Sequence, residues 1–242
     1  MCINSFSFFR EPPKDCPLCP RLAQFRHEWQ GKQPSWYNAP VPVFYPQDSA
    51  GAIKLMIVGL APGLKGANRT GRPFTGDYAG LLLYNTLKLF DFAEGEFMER
   101  PDDSLKLKNT LIVNAVRCVP PQNKPTTQEI HTCRQFFSPL LEGLPQLRAV
   151  VTLGTIAHQT TIRALGAPLA RHPFGHNRAT DIKQLRIFSS YHCSRYNTNT
   201  GVLTTQMFHN VFANVKNFLQ QTENIKPLPP RAKSLADKEQ CP

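Results

Sequence analysis

The chain has 242 residues, 41% of them hydrophobic, and 28 Lys and Arg against 17 Asp and Glu give it a formal net charge of +11. This composition allows a hydrophobic core, and no apolar run reaches the ~20 residues of a membrane helix, so we expect no membrane partner and a cytoplasmic location. The basic residues are spread along the chain rather than gathered in one tail. That favours a polyanionic partner, nucleic acid first, over a merely basic soluble protein.

Short apolar runs alternate with helical patterns along the chain. The runs predict four strands, at 54–58, 110–116, 147–153 and 185–190. The helical patterns lie at 78–90, 127–141, 155–165 and 205–220. Thr126 and Glu129 have capping-box spacing at the start of the second helix. Such alternation builds parallel βαβ units, so the predicted fold is α/β: a three-layer αβα sandwich with a central four-stranded parallel sheet.

The sequence predicts a single domain over residues 1–222. Residues 30–50, rich in Pro, Ser, Gln and aromatic residues, are predicted to form an extended connection into the first strand. Residues 223–242 combine prolines with mixed charge and show no apolar period, so we expect a flexible tail there.

The residues that follow each strand are the first candidates for a site, because ligands of parallel sheets bind beyond the carboxyl ends of the strands. Asn114 ends the second strand, and its amide would be costly to bury without a partner. The glycines at 59–66 indicate a nucleotide-binding loop only weakly, since they lack the GxGxxG spacing and no Gly-Lys-Ser/Thr follows. His192 follows the fourth strand and opens a polar, aromatic and basic loop at 194–201. A lone histidine is more often structural, but this position favours a functional one.

Residues 68–77 place glycines, two arginines, an aromatic ring and a carboxylate together before a helix. This composition is typical of a functional loop, but Arg69 and Arg72 are equally consistent with solvated loop charges and Phe74 with a core residue. Asp77 is either a functional carboxylate or the N-cap of the following helix.

Four of the seven cysteines form two widely separated pairs, Cys16 with Cys19 and Cys118 with Cys133, beside prolines that make the turns rigid. Four thiolates suit a structural metal centre, and their spacing alone leaves zinc and an iron–sulfur cluster open. A redox pair is disfavoured because Cys16 lies in a proline-rich leader with no strand before it. The remaining cysteines, Cys2, Cys193 and Cys241, are expected to be bystanders.

Taken together, these motifs resemble the uracil-DNA glycosylase superfamily, and within it the family 5 (b-type) iron–sulfur branch. The resemblance runs from Cys16 to about residue 218. It is carried by the four cysteines and by the segments 59–62, 68–72, 74–77, 114–118, 120–125 and 192–201. The sister family 4 has an acidic residue where Leu60 stands, which argues against that branch.

The resemblance implies a 4Fe-4S cluster on Cys16, Cys19, Cys118 and Cys133. It also implies a monofunctional DNA repair glycosylase that removes uracil, and other deaminated bases such as hypoxanthine, from double-stranded DNA, and we expect it to act as a monomer. The residues expected in catalysis are Asp77, His192 and Asn114. Those expected to bind the base are Leu60, Ala61, Gly63, Phe74 and Asn114. Those expected to contact DNA are Arg69, Arg72, Ser194, Arg195, Tyr196 and Asn197.

Two alternatives remain open at this point. A non-catalytic, metal-stapled nucleic-acid-binding module would explain the charge and the cysteines, but it would leave His192, Asp77 and Asn114 without a role. A family 4-type uracil-DNA glycosylase would share the chemistry and differ in its first motif.

Overall fold

The computed structural model describes residues 9–46 and 52–223 of the chain. The predicted flexible tail lies outside these residues, except for residue 223, which ends the last helix. Within the described ranges no helix is both long enough and apolar enough to cross a membrane.

The strands of the described residues form a large sheet and a small hairpin. They are β1 (Leu55–Gly59), β2 (Ala93–Glu94), β3 (Lys106–Leu107), β4 (Thr110–Asn114), β5 (Ala149–Leu153), β6 (Arg178–Ile182) and β7 (Leu185–Ser190). The large sheet has the order β4-β1-β5-β7-β6, in which the first four strands are parallel and β6 is antiparallel to β7. The hairpin pairs β2 with β3. The four predicted parallel strands are confirmed, and the antiparallel edge strand was missed.

Three of the helices were not predicted, and one predicted helix is divided in two. They are α1 (Pro20–Lys32), α2 (Ala67–Thr70), α3 (Tyr78–Leu89), α4 (Thr127–Cys133), α5 (Ser138–Gly143), α6 (Thr155–Ala164), α7 (Arg195–Asn199) and α8 (Thr205–Glu223). The single helix predicted over 127–141 is wrong: α4 ends at Cys133, and α5 begins anew with Pro139 in its first turn. Proline has no N–H to continue a helix but fits a first turn. The capping box of Thr126 and Glu129 is confirmed.

The segment predicted as an extended connection is partly helical, because α1 occupies its first residues. Further along, Phe44 and Ile112 exchange backbone hydrogen bonds of 2.9 and 3.0 Å. This contact covers the outer edge of β4, which would otherwise present unpaired backbone groups. Residues 47–51 of the segment lie outside the described residues.

Hydrophobic residues fill both faces of the large sheet. On one face, Ile57 and Val151 pack with residues of α3 and α8. On the other face, Met56 and Val150 pack with residues of α5 and α6. Because neighbouring strand residues point to opposite faces, every residue of β1 is buried, as expected of a parallel strand covered on both sides. The predicted αβα layering is confirmed.

Candidate active site

A pocket opens at the carboxyl ends of β1, β4 and β7, with a volume of about 400 Å³. That volume suits a small ligand such as one nucleobase with its sugar. Most of the residues predicted from sequence line it: Leu60, Ala61, Gly63, Phe74, Asp77, Asn114, His192, Ser194 and Arg195. The structure also brings in residues that the prediction did not include, namely Pro62, Ala67, Tyr78, Ala79 and Asn123.

The floor of the pocket depends on a glycine. Gly59 pairs with Asn114 across the parallel strands β1 and β4. A side chain on Gly59 would collide with Asn114 Oδ1 and with the Phe74 ring. Glycine at this position therefore lets the amide and the ring lie side by side.

Asn114 presents a free amide to this floor. The residue is only 3% exposed. Among the described residues, no group hydrogen-bonds its side-chain amide, although a buried polar group normally has a partner. The amide can both donate and accept, so it is placed to bind the polar edge of a ligand.

Phe74 forms an apolar wall and has an unusual backbone. Its φ is +52°, in the left-handed region that is costly for a residue with a bulky side chain. Its ring lies 6.0 Å from the His192 ring, centroid to centroid, at an interplanar angle of 30°. The surrounding structure therefore holds a strained residue so that its ring faces the pocket.

His192 follows β7 and is neutral at physiological pH. Burial lowers the pKa of its imidazole to about 4. Its backbone carbonyl accepts a hydrogen bond of 2.8 Å from the Asn197 side chain. A neutral imidazole donates one hydrogen bond, which suits it to stabilise negative charge on a ligand atom.

Asp77 stands at the N-cap position of α3, but its side chain makes no capping hydrogen bond. Its Oδ1 is buried without a partner among the described residues, and its Oδ2 lies so close to Gly66 that a side chain there would collide. Burial raises the pKa of the Asp77 carboxyl, and the backbone N–H groups of Gly80 and Ala79 offset part of that effect. The two N–H groups lie near the carboxylate, but neither forms a capping hydrogen bond with it, and a buried carboxylate without such a bond points to a functional role.

The residues on α7 divide between the rim and the interior. Tyr196 is 74% exposed, and the Arg195 guanidinium lies 5.2 Å from the centre of the Tyr78 ring. Ser194 caps α7 by accepting from the Asn197 backbone N–H. Because the Asn197 side chain is bound to His192, its position favours support of that residue over the DNA contact predicted for it.

The two arginines of 68–77 have different environments. Arg69 is exposed, and its Nε donates to the Lys65 carbonyl at 2.8 Å. Arg72 is only 6% exposed and forms a two-bond ion pair with Asp103, at 2.7 and 2.8 Å. This geometry corrects the prediction that Arg72 contacts DNA, because its guanidinium is enclosed and already paired.

Asn123 is the polar pocket residue that sequence reasoning did not assign. It and Gln122 both have positive φ, 56° and 54°. The preceding pair of prolines, Pro120 and Pro121, signals a tight turn just beyond a strand, so the position could have been identified.

The four predicted metal-binding cysteines share one small pocket between α1 and α4. The helices are joined there by Arg21 and Glu129, whose side chains form two hydrogen bonds of 2.7 Å. Among the described residues, no group of three or more His, Cys, Asp or Glu side chains converges closely enough to hold a single metal ion. Burial raises the pKa of Cys118 to about 12 and that of Cys133 to about 11, so these thiols ionise only beside compensating positive charge.

The sheet and the pocket define the class of protein: a parallel α/β domain whose ligand site lies at the carboxyl ends of its strands. The family model described as the uracil DNA glycosylase superfamily matches residues 46–216. The chain is 39% identical over 212 residues to a type-5 uracil-DNA glycosylase of Thermus thermophilus, covering 83% of this chain and 92% of that one. It is 36% identical over 196 residues to a type-5 uracil-DNA glycosylase of Pyrobaculum aerophilum, covering 79% and 84%. The chain belongs to the uracil DNA glycosylase superfamily, and within it to the type-5 branch.

A type-4 uracil-DNA glycosylase of Pyrobaculum aerophilum is also similar, but less so. It is 31% identical over 119 residues, which cover 48% of this chain and 53% of that one. The likeness to type-5 proteins is both higher and longer, so the resemblance predicted from the motifs is confirmed and the family 4-type alternative is disfavoured.

Proposed function

We propose that this chain is a DNA repair glycosylase that hydrolyses the N-glycosidic bond of uracil in double-stranded DNA and leaves an abasic site. One observation carries the proposal. A neutral histidine, a buried unpaired carboxylate and a free amide line one pocket in a chain whose relatives are type-5 uracil-DNA glycosylases. The net charge of +11 suits a partner with a phosphate backbone.

His192 stabilises the departing base. Breaking the glycosidic bond leaves negative charge on uracil, and a hydrogen bond from the neutral imidazole to the base O2 lowers the energy of that charge. Because burial holds the pKa of His192 near 4, the ring that donates this hydrogen bond is neutral at physiological pH. Backbone N–H groups around Leu60 and Ala61, which also line the pocket, assist.

Asp77 stabilises the sugar end of the same bond. As the base leaves, positive charge develops on the sugar, and a nearby carboxylate offsets it. Asp77 lines the pocket, so its carboxylate is placed to orient the attacking water. Burial makes the negative charge of Asp77 costly in the empty pocket, and a cationic sugar relieves that cost.

Phe74 and Asn114 recognise the base. A base can reach this pocket only when it is turned out of the helix, which costs a few kcal/mol and least at a mismatch. Phe74 then stacks on the base, and Asn114 bonds its Watson–Crick edge. Deaminated bases opposite a mismatched partner are therefore the favoured substrates, and hypoxanthine is included among them.

Replacing Asn114 with Asp should abolish most uracil excision. The change removes the donor toward uracil O4 and places a carboxylate against a base that becomes negative as it leaves. The measurement is single-turnover excision from duplexes that carry uracil, hypoxanthine or cytosine, with Asn210→Asp on the exposed side of α8 as the matched control. Uracil excision equal to that of the parent chain would assign recognition to backbone groups near Leu60 instead.

The four cysteines are proposed to hold a structural 4Fe-4S cluster. The four cysteines line one small pocket, where four thiolates suit either a zinc ion or a cluster, and the resemblance to the iron–sulfur branch favours the cluster. A cluster places iron and sulfide between the thiolates and supplies the positive charge that their raised pKa values require. The group would fasten α1 to the rest of the domain and stands apart from the reacting bond.

The purified protein should therefore be brown, with broad visible absorption from sulfur-to-iron charge transfer. Cys118→Ser should lose this colour and become less soluble, while any folded fraction keeps its excision rate. Cys193→Ser removes a thiol that lies outside the cysteine pocket and should keep the colour. A colourless parent protein with one zinc per chain would contradict the assignment.

The function itself is tested with uracil-containing DNA followed by alkali, which cuts abasic sites. Duplex and single-stranded forms of one oligonucleotide should be compared, with thymine in place of uracil as the control. We expect alkali-dependent cuts at uracil alone, and faster in the duplex. Tight binding of all these DNAs without cuts would indicate the non-catalytic binding module.

A further inference from the structure

A buried ion pair lies behind the wall of the pocket. The Arg72 guanidinium donates to both oxygens of Asp103, and the two side chains are 6% and 0% exposed. Three aromatic rings enclose the guanidinium, with centroids 5.2 to 5.7 Å from its central carbon: those of Phe44, Tyr84 and Phe97. The rings thus shield the ion pair from water. In this enclosed environment the geometry of the pair is fixed and the attraction between its charges is strong.

Asp103 belongs to the loop between β2 and β3, outside the central sheet. Its carboxylate also accepts backbone hydrogen bonds from Met98, at 2.9 Å, and from Leu105, at 3.1 Å. Burial opposes ionisation, but the Arg72 partner and these two N–H groups prevail and lower the pKa of the carboxyl. Four hydrogen bonds therefore fix the carboxylate to its own loop and to Arg72.

On the other side, Arg72 and Tyr84 hold the residues that flank Phe74. Arg72 Nε donates to Thr75 Oγ1 at 2.8 Å, and the Tyr84 hydroxyl donates to the Pro73 carbonyl at 2.6 Å. Phe74 between them has the strained φ of +52°. A strained backbone persists only where its neighbours over-determine it. These two hydrogen bonds supply that restraint.

We propose that Asp103 is a positioning residue for base excision, acting through Arg72 to hold Phe74 at its place in the pocket, in the loop that leads into Asp77. The inference rests on the proposed function, since Phe74 and Asp77 are the residues assigned there to the base and to the sugar. It gives the β2–β3 hairpin a role in the reaction, although none of its residues lines the pocket.

Stability alone is a weak reason for such a pair. Desolvating two charges cancels much of their attraction, and apolar residues of similar volume often do as well. What an apolar cluster cannot supply is the directed hydrogen bond from Arg72 to Thr75. The pair is therefore better explained by the geometry that it imposes on the loop 72–77.

The test compares Asp103→Asn with Asp102→Asn, a neighbouring carboxylate whose side chain is 74% exposed. Asparagine keeps the shape of Asp103 and one acceptor oxygen but loses the charge that holds Arg72. We expect Asp103→Asn to lower the maximal single-turnover rate on a uracil duplex by roughly 10- to 100-fold, the loss that a displaced catalytic geometry produces. The half-saturating enzyme concentration and the affinity for abasic product should change less than about twofold, because the DNA-contacting rim is untouched. Asp102→Asn should behave as the parent chain does.

Tyr84→Phe is the second variant, chosen in case Asp103→Asn fails to fold. It keeps the ring beside Arg72 and removes only the hydrogen bond to Pro73, so the maximal rate should fall about fivefold with binding unchanged. Maximal rates equal to that of the parent chain in the folded variants would overturn the inference. A parallel loss of rate, product affinity and melting temperature would also overturn it, because general destabilisation would then suffice. If the parent chain itself released no uracil, the proposed function would fail instead, which the parent reaction alone reveals.

Discussion

Replacing His192 with Ala should lower single-turnover excision of uracil by roughly 100- to 1,000-fold, the usual loss when one donor to a developing anion is removed. Affinity for the uracil duplex should change little, since the imidazole acts on charge that appears only as the bond breaks. His131→Ala is the control, because His131 is exposed on α4 and away from the pocket. Activity close to that of the parent chain would assign His192 to structure.

The pH dependence of the parent chain tests the same assignment. Burial holds the pKa of His192 near 4, below its usual 6.5, so the ring stays neutral as pH falls from 8 to 6. The rate of uracil excision by the parent chain should therefore show no inflection near pH 6.5 that is due to His192. The pH profiles of the parent chain and of His192→Ala should have the same shape in this range. Such an inflection would mean that the imidazole titrates normally and that the protonated ring takes part.

Asp77→Asn should slow the chemical step by roughly 100-fold or more, the lower range for loss of a positioned acid or base. Asparagine can still occupy the N-cap position, so the fold and the duplex affinity should be retained. The measurement is the maximal single-turnover rate beside the melting temperature and the duplex affinity. A fall in melting temperature with little change in rate would make Asp77 a structural residue of α3.

The raised pKa of Asp77 also predicts how the excision rate depends on pH. The reaction needs the ionised carboxylate, so the excision rate should decline as pH falls through the pKa of Asp77. Because that pKa is raised, the decline should begin at a higher pH than it would for a carboxyl with the ordinary pKa of 3.8. The Asp77→Asn variant has no carboxyl to protonate there, so its low residual rate should lack the part of the acid limb that Asp77 causes and keep only the part due to His192, whose pKa is about 4.

Much of the candidate site could be predicted because parallel strands bring their carboxyl ends to one edge. Asn114 ends β4, and His192 follows β7. In the sheet order, β1 lies between these two strands, so Leu60 at the end of β1 lies between the two residues. The loop that carries Asp77 borders the same pocket. Residues far apart in sequence thus meet in one pocket, and the strand pattern pointed to those that directly follow a strand, whereas Asp77 was found from the composition of its loop and from the family resemblance. Asp77 was ambiguous in sequence because a helix cap and a catalytic carboxylate look the same there, and only its missing cap bond separates them.

Arg72 shows where sequence reasoning failed. Its partner Asp103 lies 31 residues away on a hairpin that no apolar pattern marked. The aromatic rings around the guanidinium come from that hairpin, from α3 and from the segment of Phe44. From sequence alone, a charged side chain in a glycine-rich loop is predicted to be solvated, because its partners in the folded structure are unknown. The edge strand β6 was missed for a related reason, since its residues are mostly exposed and carry no apolar alternation.

The break between α4 and α5 could have been foreseen. Pro139 lies inside the run predicted as one helix, and a proline that is not in a first turn interrupts the hydrogen-bond ladder. The break matters to the cysteine pocket, because α4 ends at Cys133.

The most direct test of the central claim is the amount of free uracil released under single-turnover conditions from a duplex with one uracil per molecule. Released base should be quantified by chromatography beside the abasic sites left in the DNA. We expect one uracil for every abasic site, released at a rate that falls in both His192→Ala and Asp77→Asn. Stable binding of the duplex with no free uracil above the level of a protein-free control would contradict the account and leave a DNA-binding protein without glycosylase activity.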